Sequence, residues 1–159
     1  MSGDRYTAPA EGERSASVGY YNQYKFCASL TLRNLHEGQL QWIKIADPEA
    51  NRVDDFQIDS PHSVDAFQVK WSTFPGSFTF SNLTSKNNNS PSIIAQLADG
   101  WKRLQEAYPG SRIVVHLITN DNPSVNDTLP ANEHPPKPRH FAAFIEQVWK
   151  NVRRGMSRD

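Results

Sequence analysis

The stretch from Arg52 to Trp71, RVDDFQIDSPHSVDAFQVKW, holds the residue types and spacings that suit chemistry. Two runs alternate apolar and polar side chains, RVDDFQIDS and VDAFQVKWS, with SPHS as a turn between them. On the first, Phe56 and Ile58 oppose Asp55, Gln57 and Asp59; on the second, Phe67, Val69 and Trp71 oppose Gln68 and Lys70. Successive strand side chains point to opposite faces, so pairing of the two strands gathers a carboxylate, an amide and an ammonium on one side of a sheet. A hard divalent cation such as Mg²⁺ takes few, oxygen-only protein ligands and keeps several waters. Asp55 supplies charge, the Gln68 side-chain carbonyl a neutral oxygen, and the backbone carbonyl between Gln68 and Lys70 a third. Lys70, beside the ion, orients or deprotonates an attacking water, or offsets charge on a pentavalent phosphate. In outline this is a site for hydrolysing a phosphodiester.

The rest of the chain must position that site. Residues 1 to about 18 are small, polar and charged and read as a flexible leader, leaving 19–159 as one domain. From Gly19 to Gly38, Tyr24, Cys27 or Ala28, Thr31 or Leu32, and Leu35 recur at helical spacing, with Gly38 as the stop. QLQWIKIAD alternates as a strand and DPEAN turns the chain, so three closely spaced strands form an antiparallel meander. FPGSFTFSNLTSKNNNSPS is loop-rich, with FTFSNL as a short extended piece. PSIIAQLADGWKRLQEA carries a helical stripe of Ile93, Ile94, Leu97, Trp101 and Leu104; Ser90 is its expected cap, with Pro91 at the first position. SRIVVHLIT reads as a buried strand. The Pro-rich stretch NDNPSVNDTLPANEHPPKPR is a long loop, and a last helix from about His140 to Arg154 ends in cations that suit its dipole. The expected order is α-β-β-β-α-β-α: an α/β domain with a mixed central sheet flanked by helices.

Asp followed by Gln-x-Lys across a strand turn resembles the active-site pattern of the PD-(D/E)xK nuclease superfamily. With Gln in the first acidic position of the ExK motif, it resembles the Mrr-like branch. A leading helix with Gly-Tyr-Tyr-x-Gln-Tyr (Gly19 to Tyr24) precedes Asp54-Asp55-Phe56 and Phe67-Gln68-Val69-Lys70. Downstream come Phe78-Thr79 and a strand ending Leu117-Ile118-Thr119-Asn120. Together these are similar to the N-terminal double-stranded DNA endonuclease domain of bacterial anti-phage defence proteins, over about Gly19 to Arg154. The resemblance implies a restriction-endonuclease-like core and Mg²⁺-dependent cutting of double-stranded DNA with little sequence specificity, Mn²⁺ being the alternative cation. It implies Asp55 as metal-binding Asp, Gln68 as second ligand and Lys70 as catalytic Lys. Gln23 falls where many relatives place a Glu or Gln touching the metal waters, as an outer-shell contact or a ligand. Asp54 adjoins Asp55, and only one can share the sheet face with Gln68; parity favours Asp55, and a bulge would reverse that. Glu49, at the strand turn, is a candidate carboxylate for a second metal. The resemblance also implies a defence effector fused to a sensor or oligomerisation module in a longer polypeptide, and a homo-oligomer when active.

Composition bounds these expectations. The chain has 159 residues, of which 37% are hydrophobic, with four Trp, five Tyr and eight Phe, enough for one core. Cys27 is the single cysteine, which excludes a disulfide framework and a cysteine-rich zinc module; it reads as a small apolar helix residue. No stretch approaches the ~20 apolar residues of a membrane span and the N-terminus is no secretory signal, so the expected compartment is the cytoplasm and no membrane partner is expected. His36, His62, His116, His134 and His140 lack metal-ligand spacing. GxSxG, P-loop and dinucleotide glycine patterns are absent. Seventeen Lys and Arg balance seventeen Asp and Glu, so DNA would be held by local charge: Lys86, Lys102, Arg103 and Arg112, and Lys137, Arg139, Lys150, Arg153 and Arg154 near the end. Three competing readings remain: a catalytically inactive nuclease fold that binds nucleic acid or a partner protein, an RNA or single-strand nuclease, and a scaffold whose Asp-Asp and Gln-x-Lys are surface accidents.

Overall fold

The computed structural model describes residues 11–46, 53, 55–86, 90–127 and 140–146, with the side chains of the first helix described from residue 17 onward. A four-stranded sheet is covered by a helix on each face. In chain order the elements are α1 (Glu11–His36), β1 (Trp42–Ile45), β2 (Phe56–Ser60), β3 (Ser63–Lys70), β4 (Ser77–Phe78), α2 (Phe80–Thr84), α3 (Ile93–Ala107), β5 (Arg112–Thr119), β6 (Asn122–Pro123) and α4 (Phe141–Phe144).

The sheet order is β1-β2-β3-β5. β1, β2 and β3 form the expected antiparallel meander, with Phe56 opposite Phe67 and only Pro61-His62 between Ser60 and Ser63. β5 runs parallel to β3, Phe67 facing His116. A parallel pair needs a long crossover, and the segment containing α2 and α3 supplies it. β4 and β6 make a separate two-stranded parallel ribbon.

The two faces have separate cores because residues alternate across the sheet. Phe56, Ile58 and Phe67 bury against Cys27 of α1, with Phe26, Leu30, Val69 and Ile118 around them. Ala66 and Leu104 of α3 form the other core with Val53, Leu97, Ile113 and Val115. Phe56 and Phe67 stack at 4.4 Å between centroids, and His116 continues the stack at 4.5 Å. Offset stacks of this kind add ~0.5–1.5 kcal/mol each beyond burial.

Several boundaries differ from the sequence reading for identifiable reasons. α1 begins at Glu11, so the second half of the expected leader is helical. Its end is as expected: Gly38 takes φ +66°, its N–H donating to Leu35 (3.1 Å) and that of Gln39 to Asn34 (2.8 Å), the paired bonds of a Schellman stop. Of FTFSNL only Phe78 lies in a strand, β4, and the chain then turns into α2, because Thr79 and Asn82 form a reciprocal cap. α3 is capped by Ser92 rather than Ser90, its hydroxyl accepting from Ala95 at 3.4 Å. β5 is half-buried rather than buried, being the edge strand of the described sheet. In the Pro-rich loop, Asp127 accepts from the backbone N–H of both Phe80 and Phe141 (2.8 and 3.0 Å), tying α2 to α4 beneath a cluster of Phe78, Phe80, Phe141 and Phe144. His140 caps α4 through Nδ1. The expected C-terminal continuation of α4 lies outside the described residues.

Candidate active site

Asp55 stands immediately before β2, and the register that pairs Phe56 with Phe67 sets it opposite Gln68. One of its carboxylate oxygens accepts from Gln68 Nε2 at 3.0 Å and from the Val69 backbone N–H at 2.5 Å. Its own backbone carbonyl accepts from Gln23 Nε2 of α1 at 3.4 Å. Three of the residues singled out by sequence, Gln23, Asp55 and Gln68, are therefore joined at one end of the sheet. Gln23 reaches the backbone of Asp55 rather than its carboxylate.

Burial sharpens the picture. Gln68 is only 8% exposed, and Gln57, two residues from Asp55 on β2, is fully buried. A polar strand face opposite an apolar one is ordinarily solvated. α3 covers that face instead, so the amides are internal and need internal partners. Gln68 meets that need by donating to Asp55, which leaves its Oε1 as the amide's acceptor.

Lys70 follows Gln68 by two residues on β3 and therefore shares its face, about 6.6 Å along the strand. It is exposed, at the strand's last position. The loop beyond it is held firmly. Asn120 accepts from the Ser72 N–H (2.9 Å) and donates to the Ser72 carbonyl (2.7 Å), and Asp121 accepts from the Gly76 N–H at 2.7 Å. This pinned loop presents Phe74, 86% exposed, with Trp71 half-exposed beside it. Sequence reasoning passed over Phe74, since a loop Phe carries no periodic signal. Asp54 and Glu49, the two further acidic candidates, lie outside the described residues.

Among the described residues no three His, Cys, Asp or Glu side chains converge. Among the described residues a cation here would have one carboxylate, Asp55, with the Gln68 Oε1 and a β3 backbone carbonyl. That is an all-oxygen, singly charged donor set, which fits Mg²⁺ or Mn²⁺ retaining most of its water and does not fit zinc.

A second polar group sits on the α1 face. His116 Nε2 lies 2.6 Å from Asp65 Oδ1, and Ser63 Oγ donates to Asp65 Oδ2 at 2.6 Å. Burial alone would raise the Asp65 carboxyl; the bonds from His116 and Ser63 and the charge of Arg112 outweigh it and hold the group below its ordinary value of 3.8. A half-open cleft of about 360 Å³ adjoins it, lined by Phe26, Leu30, Asn34, Ile58, Phe67 and Ile118. The serine bonds to the aspartate and not to the histidine, so the trio lacks the nucleophile–base contact of a hydrolase triad. Cys27 is buried, and burial pushes its thiol up, as suits a core residue.

Of the expected basic contacts, Lys86, Lys102, Arg103 and Arg112 are exposed, and Arg103 is paired with Asp99 at 3.0 Å. Lys137, Arg139, Lys150, Arg153 and Arg154 lie outside the described residues. No described helix is long and apolar enough to cross a membrane. No family model, curated protein or solved structure matches the chain.

Proposed function

We propose that this chain is a Mg²⁺-dependent endonuclease that hydrolyses phosphodiester bonds of double-stranded DNA with little sequence preference. The observation that carries the reading is the tie between Asp55 and the Gln68-Val69 segment of β3, with Lys70 two residues further on the same face. Asp55, the Gln68 Oε1 and a β3 carbonyl would hold the magnesium, which would supply Lewis acidity toward the scissile phosphate. The chain's own residues do the remainder. The Gln68 amide fixes the Asp55 carboxylate. Gln23, bonded to the Asp55 carbonyl, fixes the backbone from α1. Lys70 takes a proton from, or aligns, the attacking water and balances charge on the phosphorane. Trp71 and Phe74, just beyond Lys70, offer rings against which an unstacked base can rest.

The low charge sets the affinity. With cations and anions equal in number, one copy should hold DNA weakly and release it as salt rises. A clustering step in a longer host, of the kind expected for an anti-phage effector in the cytoplasm, would overcome this.

One observation favours a second reading, a nuclease fold that binds nucleic acid or a partner without cutting. The Asp55 oxygen already accepts two protein hydrogen bonds, which is how a structural carboxylate behaves. Supercoiled plasmid incubated with Mg²⁺ and either the parent or Lys70→Ala separates the two. Nicking by the parent and a loss of about 10²-fold or more in the variant supports catalysis. Equal nicking, or none at any protein concentration, supports the binding module, and parallel single-stranded and RNA substrates fix the polynucleotide class.

A further inference from the structure

α1 is apolar on two sides, and the fold uses only one. Phe26, Cys27 and Leu30 turn toward the sheet. On the far side, Tyr21, Tyr24, Leu32 and Leu35 are 66, 53, 64 and 61% exposed, and Ala28 is exposed between them. At 100° per residue these five fall within one narrow stripe, pointing away from the side that carries Cys27, Leu30 and Gln23. Single exposed Leu or Tyr residues are ordinary, whereas five in line on one helix form a surface that asks for a partner.

The stripe has a two-fold order of its own. Counting outward from Ala28, Tyr24 and Leu32 lie four residues away on either side, and Tyr21 and Leu35 seven. Two antiparallel copies of α1 centred on Ala28 therefore set each Tyr24 against Leu32 of the other copy and each Tyr21 against its Leu35. The smallest side chain meets itself on the axis, where the helices come closest. A surface that is its own complement under a two-fold rotation is what an isologous dimer requires.

We infer that this face of α1 is a homodimer interface, formed by antiparallel pairing of two α1 helices about Ala28. The helix dipoles oppose in that arrangement, and no acidic residue lies on the stripe to be stranded. Burying the exposed parts of these side chains in both copies removes on the order of 1,000 Å², about the lower bound for a specific interface, so the dimer should be reversible rather than permanent. Gln23 points the other way, so pairing leaves the Asp55 end of each sheet open and places two such sites about one axis. The consequence for cutting both strands rests on the nuclease reading; the interface itself rests on the helix alone.

Light scattering across protein concentration, with cysteine cross-linking, tests it on the full 159-residue chain. The parent should pass from monomer to dimer in the micromolar range, and Leu32→Arg should raise the dissociation constant at least about tenfold. Ala28→Cys should form a disulfide with itself under mild oxidation, whereas Ser29→Cys, exposed but off the stripe, should not. The parent, whose Cys27 is buried, should not cross-link. These positions are exposed in the monomer, so the substitutions leave the core untouched, and circular dichroism checks this. A chain that stays monomeric with Ala28→Cys unlinked overturns the inference, as does a dimer that Leu32→Arg leaves intact. If the parent cuts plasmid, Leu32→Arg should nick but linearise poorly; if nothing is cut, the oligomer readouts still decide.

Discussion

Two carboxylates on the same sheet are held in comparable ways and differ in what they open onto. Asp55 accepts from the Gln68 amide and the Val69 N–H at the end of the sheet where Lys70, two residues beyond Gln68, is exposed. Asp65 is bound by His116 and Ser63 on the opposite face, walled by Phe67 and α1. Amide donors fix a carboxylate in place while leaving it ionised. A histidine and a hydroxyl, with the charge of Arg112 nearby, make a closed network whose main effect is stability. Hydrogen bonds to a carboxylate are thus not by themselves the mark of a site.

The largest expected effect is at the first carboxylate: Asp55→Ala should lower Mg²⁺-dependent plasmid cleavage by about 10²–10⁴-fold, read as initial nicking rate. His116→Ala should leave cleavage per folded molecule near the parent value and lower stability by about 1–3 kcal/mol, read by urea unfolding, since it strips a charge-assisted bond from Asp65 and a ring from the Phe56–Phe67 stack.

The pH dependence of stability sharpens the contrast between the two carboxylates. The Asp65 carboxyl is depressed in the folded state relative to 3.8 unfolded. Its stabilisation is therefore present above that value and is lost as pH falls through the lower folded value. Asp65→Asn should be less stable than the parent near neutrality, and the gap should close below about pH 3.8 in urea titrations at stepped pH. The smallest effect belongs to the helix that covers the Gln68 face: Ser92→Ala should cost about 1 kcal/mol by loss of the α3 cap, with cleavage unchanged.

How much of this was legible follows from sequence distance. The meander is readable because β2 and β3 alternate cleanly and are joined by two residues; parity favours Asp55 for the face that carries Gln68, and the register then sets the two opposite each other. The same parity misjudged their surroundings. Gln57 and Gln68 looked like the wet side of a strand, and nothing local announces that α3, more than twenty residues on, will cover them. The Asp65–His116 contact spans 51 residues across a parallel pair, and no spacing rule reaches that far. Gln23 was suggested by the resemblance, and its contact with the Asp55 carbonyl depends on the α1 packing that only the fold supplies. The cap of α3 moved from Ser90 to Ser92 because two serines bracket Pro91 and either can precede a helix.

The central claim is that the Asp55 end of the sheet, and not the Asp65 network, receives a divalent cation. Titrating Mn²⁺ into the parent, Asp55→Ala and Asp65→Asn, and reading the free-ion signal by electron paramagnetic resonance, tests it without reference to activity. Binding is expected for the parent and for Asp65→Asn, and its loss in folded Asp55→Ala. Binding that survives Asp55→Ala but disappears in Asp65→Asn, or no binding by the parent, would contradict it.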